Sequence, residues 1–151
     1  MKFLDIDGKS VSVDVKQSSH PIRAEAVSKS NIQHKVGQWL VGMFNGVPVL
    51  EEFVIPGSML RLDFFIPKRR LAVEVQGEQH TEHIGFYHGH RNKMALVKQK
   101  KRDSDKLDWC ILNNINIIYI TKETTYDEFK SRIRESENKR RGMAGETEGR
   151  D

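Results

Sequence analysis

Asp63 and Glu74 are acids set inside two apolar runs. In LRLDFFIP, residues 60–67, Leu60, Leu62, Phe64 and Ile66 alternate with Arg61, Asp63 and Phe65. That is the period of a strand, and it projects Asp63 from the face opposite the leucines. In LAVEVQG, residues 71–77, Leu71, Val73 and Val75 take one face while Ala72, Glu74 and Gln76 take the other. Pro67 and the run Lys68-Arg69-Arg70 separate the two, and so short a connection makes them neighbours. Asp63 and Glu74 then converge. Like charges held together out of water need neutralising, and two carboxylates with positions left for water suit Mg²⁺ or Mn²⁺. The carbonyl of Val75 is a further candidate ligand, and Gln76 can orient a water by hydrogen bonding. The metal would polarise a phosphate and lower the pKa of that water, which is the chemistry of phosphodiester hydrolysis. The competing reading leaves one or both acids facing solvent on a half-exposed antiparallel hairpin.

The order Asp63…Glu74-Val75-Gln76 resembles the core of the PD-(D/E)XK nuclease superfamily, with Gln76 where most members carry Lys. The wider run, R-L-D-F-F-I-P, then L-A-V-E-V-x-G-x-x-H and a K-R-D segment, is similar to the Vsr-like branch. That branch includes very-short-patch-repair endonucleases and phage homing endonucleases with an EDxHD signature, and the likeness covers roughly residues 28–121. It implies an α/β fold, an α+β mixed sheet flanked by helices, with a restriction-endonuclease-like core to which this chain adds an N-terminal β-hairpin. It also implies a Mg²⁺-dependent DNA endonuclease, of phage or homing type, acting on double-stranded DNA without a small-molecule cofactor. His80 matches the family histidine and becomes a general base or a phosphate contact. Arg102-Asp103 falls at the family's position on the following helix, so Asp103 would orient His80 or water. The acid that relatives often carry on the first helix is replaced by Gln33, whose plainer role is to partner the helix cap. Cutting both strands from one centre requires a homodimer or sequential nicks.

The segment after Gly77 holds His80, His83, His88 and His90. As a loop over the site it offers His83, His88 and His90 as phosphate contacts, with Phe86 and Tyr87 as anchors or a wedge against bases. As a zinc site it lacks nearby cysteines and the usual spacing. The helix-forming stretch from Asn92 to about Asn113 is basic, and Lys98, Lys101, Arg102 and Lys106, with Arg69 from the turn, are the expected DNA contacts. A solvated face is the plainer reading of such a run.

The elements that must position these groups are legible from pattern. Asp7-Gly8 between two alternating segments predicts a hairpin over residues 2–15, followed by a connector over 16–27. Ile32, Val36, Leu40 and Met43 predict a helix from about Ser30 to Asn45, and residues 49–55 a strand. Glu51 and Glu52 lie on that strand, where alternation lets at most one reach the site. Met94, Val97, Leu107, Cys110 and Ile111 are the apolar residues the basic helix can bury. INIIYI, residues 115–120, reads as a buried strand parallel to its neighbour after the helical crossover. Residues 125–136 form a last amphipathic helix with Phe129 and Ile133 inward, and residues 137–151 an unstructured tail. The expected organisation is a hairpin and connector over 1–27, a nuclease-like domain over 28–136 and the tail.

The 151 residues suffice for one domain with a core. The 25 Lys+Arg against 21 Asp+Glu give a net charge of +4, which suits a polyanionic partner. Cys110 alone excludes an intramolecular disulfide and fits a reducing compartment. No run is long and apolar enough for a membrane helix, so the expected location is the cytoplasm, that of a host cell if the protein is phage-encoded. Two rivals stand beside the nuclease: a DNA-binding module of the same fold without cleavage, and a zinc-stabilised interaction protein built on the histidine segment.

Overall fold

The computed structural model describes residues 1–14, 20–21, 31–76 and 90–148, with the backbone alone at 20–21, 90–92 and 143–148. The chain opens with a hairpin of β1 (Lys2–Leu4) and β2 (Ser10–Ser12), paired antiparallel. Asp5 closes its turn, since the carboxylate accepts the amides of Asp7 and Lys9 at 2.9 and 2.8 Å. Gly8 follows at φ +84°, a left-handed position that suits a residue without Cβ.

The main sheet has the order β3-β4-β5-β6-β7, formed by His20–Pro21, Leu50–Val54, Arg61–Ile66, Leu71–Val75 and Asn116–Ile120. β3 falls within the expected connector, whose remaining residues lie outside those described. Neighbours are antiparallel except β6 and β7, which run parallel. Parallel pairing demands a crossover, and α2 (His90–Leu112) supplies it. α1 (Asn31–Met43) precedes β4, and α3 (Tyr126–Glu148) follows β7 with Thr125 Oγ1 accepting the Glu128 amide as its N-cap. Expected to end near Ser136, α3 continues through Glu148. Arg140 donates to the Lys68 carbonyl at 3.1 Å, a lateral contact beyond the apolar stripe that periodicity detects.

Each sheet face carries its own core. Phe64, Ile66, Leu71, Val73, Ile118 and Ile120 pack against Val36 and Leu40 of α1 and Phe129 and Ile133 of α3. The second cluster gathers Phe65 and Ala72 with Trp109 and Cys110 of α2, Phe3 of the hairpin, Phe53 and Leu62; Leu62 thus parts from Phe64 and Ile66, with which strand alternation had grouped it. The Phe53, Phe65, Trp109 and Phe3 rings lie 4.7–6.2 Å apart in tilted or edge-on arrangements. Phe3 is 3% exposed, so the hairpin closes this core. Its backbone is tied there as well: Trp109 Nε1 donates to the Leu4 carbonyl at 2.8 Å and Asn113 Oδ1 accepts the Leu4 amide at 2.7 Å.

The burial expected for α2 is partly wrong. Met94, Val97 and Ile111 are 50%, 61% and 64% exposed, whereas Trp109 and Cys110 are buried. The half-buried residues of the helix before Trp109 are Leu96, Gln99, Asp103, Asp105, Lys106 and Leu107, so its inward side there is largely polar.

Candidate active site

The β5–β6 ladder pairs Ile66 with Leu71, Phe65 with Ala72 and Phe64 with Val73, and then stops. The next positions are Asp63 and Glu74, and their side chains take over the bonding that the backbones give up. Glu74 Oε2 accepts the Asp63 amide at 3.1 Å, and Asp63 Oδ2 accepts the Val75 amide at 2.8 Å. The two carboxylates therefore face one another where the strands part. The Gln76 amide turns to β7, donating to the Ile120 carbonyl at 2.7 Å. By strand alternation the Val75 carbonyl faces β5 with its amide, on the side of Asp63. Gln76 itself is exposed just beyond β6.

Lys106 enters from α2, its Nζ 2.9 Å from Glu74 Oε1. Expected among the DNA contacts of this helix, it lies in its half-buried stripe and pairs with Glu74, with 19% of its side chain accessible. Helical periodicity explains the difference, because Lys106 follows Asp103 by three residues and precedes Cys110 by four. Lys98, Lys101 and Arg102 remain exposed on the outer side.

The electrostatics follow from this packing. Burial, and after it the charge and hydrogen bonding of Glu74, push the Asp63 carboxyl up to about 8, against the Val75 amide and Lys106, which favour ionisation. Burial by itself would lower the Lys106 pKa; Glu74 first, with smaller help from Asp63 and Asp103, leaves it raised. Tyr119 stands beside Glu74 in the β6–β7 register, and its phenol is held above the usual range by burial and then by Glu74. Cys110 is pushed up to about 12 by burial and then by Glu74, so its thiol stays protonated and unreactive.

Gln33 is 2% exposed on α1, and its Nε2 donates to Glu51 Oε2 and to Glu52 Oε1, both at 3.1 Å. Glu51 and Glu52 thus reach the same side, contrary to the alternation expected of a strand. Glu52 sits at φ 58°, a left-handed conformation that breaks the alternation. In register Glu52 lies across from Asp63, so Gln33 anchors the strand next to the carboxylate pair.

Arg69 is not part of this site. It lies in the turn at the other end of β5 and β6, roughly 10 Å or more from Glu74 at ~3.3 Å per strand residue. There it pairs with Glu137 at 3.5 Å and covers the Phe44 ring at 5.9 Å. His80, His83 and His88 lie outside the described residues, as do Phe86 and Tyr87. Among the described residues no group of three or more His, Cys, Asp or Glu side chains is gathered to hold a metal. The Asp63–Glu74 pair nonetheless has the donor chemistry of a hard cation site: oxygen ligands only, and a like-charge conflict that a divalent ion would relieve.

Sequence reasoning missed the placement of Lys106 and Tyr119. The polar stripe at positions 99, 103 and 106 and the lone phenol in INIIYI were the available signals.

Comparison with known proteins adds viral relatives. The chain is 39% identical over 61 residues to uncharacterized protein 307L of Invertebrate iridescent virus 6, covering 40% of this chain and 30% of that protein. It is 38% identical over 66 residues to uncharacterized protein 033L of Invertebrate iridescent virus 3, covering 44% and 33%. The matched segments span about a third of those relatives' length. No family model matches the chain, and no solved structure matches it. Among the described residues, no helix is long and apolar enough to cross a membrane.

Proposed function

We propose that this protein is a metal-dependent DNA endonuclease with a restriction-endonuclease-like core, site-specific in the manner of phage or homing enzymes. The observation that carries this reading is the pair of half-buried Asp63 and buried Glu74 at the parting of two strands, with a lysine 2.9 Å from Glu74. The D…E-x-Q order and its likeness to the Vsr-like branch support it.

Asp63, Glu74 and the Val75 carbonyl would hold Mg²⁺ or Mn²⁺. When bound there, such an ion supplies polarisation of the phosphodiester and a lowered pKa for water. The protein's own groups do the rest. Gln76, beyond the strand end, accepts a hydrogen bond from the attacking water and aligns it. The Lys106 ammonium offsets charge that gathers on the phosphate, a role the neutral amide of Gln76 cannot fill. Asp103, one turn before Lys106, adds a smaller attraction that favours the ammonium. Lys98, Lys101 and Arg102 bind backbone phosphates; Lys98 precedes Lys106 by roughly 12 Å along the helix at ~1.5 Å per residue.

A second reading draws on the same ion pair. With Lys106 already neutralising Glu74, the fold can serve as a DNA-binding module that cuts nothing. Incubating supercoiled and linear phage-sized DNA with the protein in Mg²⁺, Mn²⁺ or EDTA, beside Asp63→Ala and Glu74→Ala, separates the two. Metal-dependent nicking or linearisation lost in both variants is the expected result. Equal binding with no cleavage by any of the three proteins gives the binding module.

A further inference from the structure

Lys106 occupies the position that a metal would have to share. Its Nζ lies 2.9 Å from Glu74 Oε1, while Oε2 of the same carboxylate is engaged by the Asp63 amide. A cation arriving between Asp63 and Glu74 must therefore compete with an ammonium already in place. The long lysine stem can withdraw without any backbone change, and with 19% of the side chain accessible it has solvent to withdraw into.

On the reading of this site as a metal-dependent phosphodiesterase, we infer that Lys106 is the site's exchangeable cation: it holds Glu74 until a divalent ion displaces it, and then serves as the catalytic ammonium on the phosphate. The geometry explains how a buried and a half-buried carboxylate sit together without metal. Glu74 is paired with Lys106 through Oε1 and accepts the Asp63 amide through Oε2, and Asp63 accepts the Val75 amide. It also sets a cost, because an internal ammonium at high effective concentration weakens divalent binding. Displaced from Glu74, the ammonium keeps Asp103 of its own helix as a neighbour and has the phosphodiester as a new anion to meet. Coupling metal entry to release of a cation toward substrate would make the site competent when both ion and DNA are present.

The test measures Mn²⁺ affinity directly, by electron paramagnetic resonance of the free ion, for the full chain and for Lys106→Met, Lys106→Arg and Asp63→Ala, with cleavage assayed in parallel. Removing the competing ammonium raises Mn²⁺ affinity by roughly fivefold in Lys106→Met. Cleavage by the same variant at saturating Mn²⁺ falls by about 10²-fold. Lys106→Arg, which keeps the charge, binds Mn²⁺ within about twofold of wild type and guards against a folding defect in the Met variant. Adding Gln76→Lys to Lys106→Met restores part of the lost rate, since residue 76 stands two positions beyond Glu74. Unchanged or weaker Mn²⁺ binding by Lys106→Met overturns the displacement, and unchanged cleavage overturns the catalytic role. If wild type and Asp63→Ala bind Mn²⁺ alike, the metal-site reading fails and the inference with it.

Discussion

Asp63→Asn tests whether the carboxylate pair carries a buried proton. In the native protein the Asp63 pKa is pushed from an ordinary 3.8 to about 8, by burial and then by Glu74. Between those values the folded state keeps a proton that the unfolded chain releases. The stabilisation is whole below about pH 4 and is lost as pH rises toward 8, with a limiting slope of ~1.4 kcal/mol per pH unit for one proton. From pH 5 to 7 this group lowers wild-type stability by roughly 2.7 kcal/mol, on the same basis. Asparagine resembles the protonated acid: its carbonyl can accept the Val75 amide and its NH₂ can donate toward Glu74. The variant loses the slope while keeping the bonds. With a urea m-value of ~2 kcal/mol/M, the difference in midpoint between Asp63→Asn and wild type widens by roughly 1.3 M across the two pH units. Urea titrations at pH 5, 6 and 7, followed by tryptophan fluorescence and circular dichroism, measure it. Midpoints that run parallel would show that Asp63 is ionised throughout and that no proton is shared.

Gln33→Leu strips the shared donor from Glu51 and Glu52 and costs roughly 2–4 kcal/mol of unfolding free energy, measured by urea denaturation at pH 7. Trp109→Phe removes the bond to the Leu4 carbonyl and leaves a gap among the rings, costing roughly 2–3 kcal/mol; amide exchange at the Leu4 N–H accelerates because the hairpin loses an anchor. Replacing Lys98, Lys101 and Arg102 together by Gln leaves the melting temperature within about 2 °C, as expected of exposed positions. The same triple variant lowers the slope of log DNA affinity against log salt by about 2.7 if each residue contacts one phosphate, as read by fluorescence anisotropy.

Much of this fold is legible in the sequence. Strand period in LRLDFFIP and LAVEV, a short polar turn between them and a β-branched run after a long helix lead to an antiparallel pair and a parallel β7. The meeting of Asp63 and Glu74 follows from the same local pattern, because register across a tight turn is set by the residues of the turn and its flanks. The hairpin was equally plain from Asp7-Gly8, but not its destination: Phe3 completes a ring cluster whose other members come from β4, β5 and α2.

What remained belongs to packing over long sequence distances. A basic helix does not declare which of its lysines turns inward, and only the seating of α2 on the sheet separates Lys106 from Lys98, Lys101 and Arg102. The φ of 58° at Glu52 violates the strand rule that was applied to Glu51 and Glu52, and it brings both acids to Gln33 on α1. Arg69 looked like one more cation for DNA until β5 and β6 carried it to the far end of the sheet, beside Glu137. Local periodicity determined the elements and the carboxylate pair. Which charges meet inside the fold was decided by tertiary structure, since charge pairing depends on distances between segments that the pattern within any one segment does not contain.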